Sequence, residues 1–283
     1  MRKNSVLALI LGCLLLCGQG CSTIRTKEDV LARAQKIKAQ IQLEEIEPIE
    51  VPAKVLPEYE KLTYKAKYLG ITVGTMVAEI KGITTIQGRQ AYHFELSATT
   101  TPFFSKIFHV DDRFVSYMDI EKRHVLRQEI YRKEGNYKKE SIVDFDQENH
   151  KAYYQHLLNG TSEVIDIPEN VQDVVTTNYY FRMVNFQLGD TLEYKVYVDE
   201  KVYDLLVLIS DQKKLRVPGL GRQDTFVIQP FAELGGEDIK KGRGSAYFSI
   251  EESRLPFKAE VDTPLFGNAS VMLYEKEEEL YNY

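Results

Sequence analysis

The sequence has no tryptophan, and all three of its cysteines (Cys13, Cys17 and Cys21) lie close to its N-terminus. Beyond Cys21 there is no thiol, which excludes an intramolecular disulfide, a cysteine nucleophile and a thiolate metal site from the rest of the chain. There is no excess of positive charge either. Against 42 Asp and Glu stand 36 Lys and Arg, for a net charge of −6 over 283 residues, and this excludes a globally basic nucleic-acid binder. The five histidines (His93, His109, His124, His150, His156) show neither HExxH nor paired ligand spacing, so no metal site is expected. G-x-S-x-G is absent, and Gly219-Leu220-Gly221 lacks the further glycines, lysine and helix of a nucleotide-binding loop, which makes it a β-turn. Pairs of acids such as Asp111-Asp112 and Asp144/Asp146 fit turns better than a calcium loop or a glycosidase site. With no catalytic constellation and no cofactor motif, an enzyme is not expected.

What is present is a composition typical of a folded protein, with 43% hydrophobic and 28% charged residues. The one long apolar run, Val6 to Leu16, follows Arg2 and Lys3 and is short for a bilayer span, so residues 1–20 read as a signal peptide. The run ends at Cys17-Gly18-Gln19-Gly20-Cys21, which resembles a bacterial lipobox with Cys21 as the acylated residue, although Gly18 stands where that motif usually carries Leu. Acyl chains at Cys21 would hold the protein at a bilayer. Ser22 resembles the sorting pattern of lipoproteins bound for the outer membrane of a diderm host, facing the periplasm.

Residues 21–58 read as a tether. Thr26 and Asp29 form a capping-box pattern ahead of a helix to Leu43, with Val30, Ala34, Ile37 and Ile41 on one modest apolar stripe. Pro48, Pro52 and Pro57 then favour an extended linker. From Tyr59 to the C-terminus (59–283) the apolar period drops to about two. Tyr64, Ala66 and Tyr68 share one face of a strand, and Tyr92, Phe94, Leu96 and Ala98 share one face of another. Ile83 to Arg89 reads as the turn between the second strand and the third. Further strands are expected at 113–119, 125–133, 137–145, 151–157, 191–198, 201–210, 225–230, 244–250, 256–261 and 268–274. The fold class is therefore mainly β: a large curved antiparallel sheet or open β-barrel, with the N-terminal helical tether and one interior helix over Asn170 to Asn185. In that helix Val174, Thr177, Val184 and either Tyr180 or Phe181 are the expected buried face, with Asp173 near the N-terminus and Arg182 near the C-terminus anchoring it. The aromatic pairs, Phe103-Phe104 among them, suit either a large core or a ligand-lined concavity, while the basic runs Arg132-Lys133, Lys138-Lys139 and Lys240-Lys241 read as solvated hairpin ends.

The order of Tyr64-x-Ala66-x-Tyr68-Leu69-Gly70-Ile71-x-Val73-Gly74, Asp111-x-Arg113, Ser116-Tyr117-x-Asp119, Asp144-Phe145-Asp146, Ile167-Pro168, Asp173 to Arg182, Gly189-Asp190 and Arg254-Leu255-Pro256 resembles the bacterial envelope family catalogued as domain of unknown function 3108. The resemblance implies a secreted or lipid-anchored protein with an antiparallel β fold, and supplies no catalytic residue. Where that family often carries a serine in the helix, this chain has Thr176-Thr177. Two functional classes follow. One is a membrane-anchored binding or carrier module for a lipid or glycan ligand, with Tyr64, Tyr68, Tyr180, Asp173 and Arg182 as structural or lining candidates and Gly70 and Gly74 as bends. The other is a structural or assembly lipoprotein that contacts other envelope proteins.

Overall fold

The computed structural model describes residues 26–43, 56–238, 243–263 and 267–278. The signal segment, Cys21, most of the linker and Lys240-Lys241 lie outside the described residues. Sixteen strands form a single sheet with the spatial order β8-β7-β6-β5-β4-β3-β2-β1-β16-β15-β14-β12-β11-β10-β9, and the short β13 pairs with β12 alone. The strands are β1 (Glu60–Tyr68), β2 (Ile71–Ile86), β3 (Arg89–Thr100), β4 (Asp111–Asp119), β5 (Val125–Glu134), β6 (Tyr137–Asp146), β7 (Lys151–His156), β8 (Ser162–Asp166), β9 (Gln172–Asp173), β10 (Thr191–Val198), β11 (Lys201–Val217), β12 (Gly221–Leu234), β13 (Glu237–Asp238), β14 (Arg243–Ser249), β15 (Pro256–Thr263) and β16 (Gly267–Glu278). Each neighbouring pair is antiparallel except β9 with β10. The mainly β expectation therefore holds, and the sheet is open, with β8 and β9 as its edges.

Alternation sets the register. Leu62, Tyr64 and Ala66 of β1 are buried on the inner face with Met76 and Ile80 of β2, Phe94, Leu96 and Ala98 of β3, and Val271 and Leu273 of β16. A one-residue slip would turn this whole set to solvent, so the pattern fixes the pairing. Gly74 sits beside a bulge in β1–β2, where Ala66 faces Gly74 and Lys67 faces Thr72. A Cβ on Gly74 would lie 2.5 Å from the Thr99 carbonyl oxygen, so the close approach of β2 and β3 requires glycine there. Gly70 serves the β1–β2 turn, with φ +81°.

The two ends of the sheet curl toward each other and are joined by side chains rather than by a ladder. Gln172 Nε2 donates to the Arg123 carbonyl, Gln147 Nε2 to the carbonyls of Val125 and Val171, and the Phe145 and Tyr197 rings meet edge to face at 5.2 Å. Lys139 Nζ on β6 lies 3.1 Å from Asp199 and 2.7 Å from Glu200, the two residues that turn β10 into β11. Both turn residues have positive φ (45° and 60°), a conformation that costs non-glycine residues roughly 1–3 kcal/mol each. The ion pairs to Lys139 offset that strain. Arg132 and Lys139 are thus engaged at the seam, and Lys139 is buried, which corrects the expectation that both runs are solvated.

Among the described residues three helices complete the fold. Helix α1 (Lys27–Leu43) starts at Thr26 and Asp29, whose backbone and side chains exchange the reciprocal bonds of a capping box. Its stripe of Val30, Ala34 and Ile37 packs on Leu206, Leu208 and Phe231 of β11 and β12. Helix α2 (Pro102–Ser105) is one turn between β3 and β4. Helix α3 (Val174–Met183) crosses the concave face. It is shorter than the expected Asn170–Asn185 because Gln172 and Asp173 pair with β10 and Val184 is already extended. Two other expectations need correction. Ile83 to Arg89 is not a turn: β2 continues through a bulge between Ile80 and Ile83 to Ile86, and Gln87-Gly88 alone reverses the chain. The 201–210 and 225–230 strands extend to 217 and 221–234, meeting at the Gly219 turn.

Candidate functional site

Helix α3 is held over the inner face at both ends. Asp173, wholly buried, is its N-cap and accepts hydrogen bonds from the amides of Val175 (2.9 Å) and Thr176 (2.7 Å). Thr176 Oγ1 accepts from the Asp173 amide in return, and Thr177 Oγ1 donates to the Asp173 carbonyl. The two threonines thereby supply hydroxyl bonds at the start of the helix. Ser116 of β4 donates a further bond to Asp173 Oδ2. Burial pushes the Asp173 carboxyl above its ordinary value, against the pull of the donors around it.

At the other end Arg182 forms a bidentate pair with Glu60 at the start of β1, at 2.7 and 2.9 Å, both side chains being at most 2% exposed. Burial opposes the guanidinium charge, and the facing Glu60 carboxylate more than restores it. Arg182 also lies over the Tyr179 ring at 5.6 Å, and Tyr179 stacks on Phe94 with centroids 3.9 Å apart. The helix is therefore pinned to β1, β3 and β4.

Between α3 and the inner face runs an apolar slot. Leu62, Tyr64, Met76, Leu96, Val175 and Phe248 are among its lining, and the void amounts to about 690 Å³ with its mouth included. It is narrow: the centre of a water molecule can move through about 70 Å³ of it. Ala78 faces the slot yet is only partly buried, which marks a point where solvent enters. The Tyr64 hydroxyl donates to the Pro256 carbonyl at 2.9 Å. Two other polar atoms of the lining residues, the Tyr179 hydroxyl and Arg182 Nε, are buried without a hydrogen-bond partner. An unmade buried bond costs roughly 1–3 kcal/mol, so the slot holds unused donor capacity. Burial raises the Tyr179 hydroxyl well above its ordinary range, which keeps it a neutral donor.

Of the residues singled out from sequence, Tyr64 and Arg182 line this slot, and Asp173 fixes the helix that roofs it. Tyr68 is partly buried at the margin of the core, and Gly70 and Gly74 shape the β1–β2 hairpin. Tyr180 points elsewhere. It meets Tyr194 edge to face at 5.6 Å and lines a separate polar cavity beside Glu193 and Lys195, while Tyr179 and Phe181 take the buried positions. Of the expected alternatives Tyr180 and Phe181, Phe181 takes the buried face, and Tyr179 joins it there. Glu60 went unrecognised in sequence, while Tyr179 stood out only as part of the aromatic run Tyr179-Tyr180-Phe181 and Ser116 only as part of the family pattern. The signal for Glu60 was indirect: an arginine on a buried helix face requires a counter-charge, and the alternation of β1 begins at Glu60. Phe103 and Phe104 are not core residues, since Phe103 is 68% exposed on α2.

A second electrostatic feature lies by the seam. Asp112, 1% exposed, accepts the Lys133 amide at 2.9 Å and faces Glu134, itself paired with Arg132 at 2.7 Å. Burial and the neighbouring Glu134 raise the Asp112 carboxyl to about 7. Among the described residues no three His, Cys, Asp or Glu side chains are grouped as a metal site requires.

An open antiparallel sheet curled around a pinned helix, with an apolar slot beneath it, defines a barrel-like β protein. The chain belongs to the family described as "Protein of unknown function (DUF3108)", whose model matches residues 63–274. No curated protein matches it. In fold it is similar to a β-barrel-like protein of domain of unknown function DUF1849 from Brucella abortus, at a TM-score of 0.53 and 8% identity over 80% of this chain and 100% of that one. Looser likenesses link it to a candidate lipoprotein of Parabacteroides distasonis (TM-score 0.36, 11% identity, 80% and 99% covered). A candidate exported protein with a YmcC-like fold from Bacteroides fragilis is looser again (TM-score 0.33, 10% identity, 80% and 100% covered).

Proposed function

We propose that this chain is a lipid-anchored protein of the cell envelope, acylated at Cys21, that holds one slender apolar ligand non-catalytically beneath α3. The observation that carries this reading is the slot itself: an apolar lining with two buried, unpartnered donors, Tyr179 Oη and Arg182 Nε. Such a site suits a hydrocarbon chain ending in an acceptor oxygen, such as a carboxylate or ester. Ligand pockets of this kind place a few polar groups on an otherwise apolar wall, the wall supplying affinity and the donors fixing orientation. A glycan fits poorly, because its many hydroxyls need a lining rich in hydrogen-bonding groups. The lipobox-like segment supports the anchor, and the narrow bore supports a single chain over a fused-ring ligand.

The chain from Ser22 onward, exported behind a non-lipoprotein signal and purified without detergent, is to be examined by native mass spectrometry. The expected result is a stoichiometric adduct that extracts as a lipid and is lost in Ala78→Leu, which fills the mouth. In Tyr179→Phe the adduct weakens while the free protein is no less stable, since an unpaired buried hydroxyl has been removed. A bare mass for the wild-type chain, or a glycan adduct, overturns the reading.

A further inference from the structure

The exposed apolar side chains are unevenly placed. Hairpins β1–β2, β3–β4, β5–β6 and β7–β8 all close on one rim of the sheet, where Leu69 (62% exposed), Ile71 (59%), Phe103 (68%) and Ile107 (72%) stand in solvent. Leu158 of the β7–β8 turn adds a fifth at 51%. On the opposite side the described residues expose Ile83 and Leu220, with Tyr274 beside the Gly219 turn. Hydrogen bonds brace these loops. The Thr101 amide donates to the Val73 carbonyl (2.9 Å), the Leu69 amide to the Asn268 carbonyl (2.9 Å), the Gly135 amide to the His109 carbonyl (2.7 Å), and Ser105 Oγ bonds His109 Nδ1 (2.7 Å).

The charge of this rim differs from that of the whole chain. Lys67, Lys106, Lys133 and Lys138 are exposed along it, against Asp111, Glu163 and Glu237, while Asp199 and Glu200 pair with Lys139. Apolar tips ringed by lysines match the boundary between anionic head groups and acyl chains.

Helix α1 adds an independent direction. Its Lys27 pairs with Glu193 at 2.9 Å, and its Lys38 pairs with Asp190 at 2.8 Å. Since β10 runs from Thr191 toward the Asp199-Glu200 turn on this same rim, the N-terminus of α1 points to the rim and its C-terminus away. Five residues separate Cys21 from Thr26, about 17 Å of extended chain. Glu193, the partner of Lys27, lies six residues from Asp199, about 20 Å along β10. An acylated Cys21 is therefore carried toward the rim.

We infer that this rim, led by Phe103, Ile107, Leu69 and Ile71, rests on an anionic bilayer surface and orients the protein there. The anchor direction rests on the acylation proposed above, whereas the rim itself does not. The test uses the anchor-free chain from Ser22 with vesicles of phosphatidylglycerol and phosphatidylcholine, read by co-sedimentation. The expected result is binding to the mixed vesicles that falls at least tenfold in Phe103→Ser/Ile107→Ser and is weakened by salt. Both substituted residues are exposed, so an unchanged circular dichroism spectrum and melting temperature should accompany the loss. Absent binding, or equal binding by the double variant, overturns the inference. So does a rim covered by a second copy of the chain, seen as a concentration-dependent doubling of mass that the double variant abolishes. Acylation is checked apart, by the intact mass of the membrane-extracted full chain, so its failure and that of the rim are distinguishable.

Discussion

Replacing Asp112 by asparagine should stabilise the protein at neutral pH and leave it unchanged in acid. Asp112 is buried, accepts the Lys133 amide, and has a carboxyl raised to about 7 from 3.8 by burial and by Glu134. Its folded-state value lies above its unfolded one, so between about pH 4 and 7 the native state binds the proton that the unfolded state has released. The stability this proton confers is complete below pH 3.8 and is lost as the pH rises to about 7. A displacement from 3.8 to about 7 is worth at most about 4.5 kcal/mol, at about 1.4 kcal/mol per pH unit. Asparagine keeps the acceptor for the Lys133 amide and stays neutral throughout. Urea denaturation of the anchor-free chain at intervals from pH 4 to 8 measures the difference between Asp112→Asn and wild type, which cancels the carboxylates they share. The difference should grow in favour of the variant by a few kcal/mol across that window and then level off. Parallel curves would refute the proton held between Asp112 and Glu134.

Two further substitutions test the frame of the slot. Arg182→Ala leaves the Glu60 carboxylate buried without its partner and should cost about 3–5 kcal/mol in denaturant, whereas Arg182→Met with Glu60→Leu should recover most of that loss. Equal losses in the single and the double variant would show that packing, not charge, holds the helix. Gly74→Ala places a methyl 2.5 Å from the Thr99 carbonyl oxygen and should cost about 1–3 kcal/mol by calorimetry, while an unchanged melting temperature would show that β2 and β3 can part freely.

The fold class was legible because it is written in local pattern. Alternation in β1 and β3, the capping box at Thr26 and Asp29, and the apolar stripe of α1 each depend on neighbours a few residues away, and each formed as the pattern predicts. Errors arose where tertiary pairing overrode local preference. Asn170 to Asp173 was expected within the helix, yet pairing with β10 draws Gln172 and Asp173 into a strand and delays the helix to Val174. Phe103 and Phe104 belong by composition to a core, and only the position of the β3–β4 loop at the rim puts Phe103 in solvent. The candidate site was legible in part. Sequence named Tyr64, Asp173 and Arg182 because aromatic and charged residues in an apolar pattern must be accounted for. Glu60 lies 122 positions from Arg182, and no local pattern joins them. The same holds for Lys139 with Asp199 and Glu200, 60 and 61 positions apart, which close the seam. By itself, then, the sequence determined the strands and their inner faces, since periodicity and hydropathy are properties of short windows. Which buried charges meet, where the sheet closes and whether a slot remains under α3 were decided by tertiary structure, because each depends on side chains brought together only when distant strands share one curved sheet.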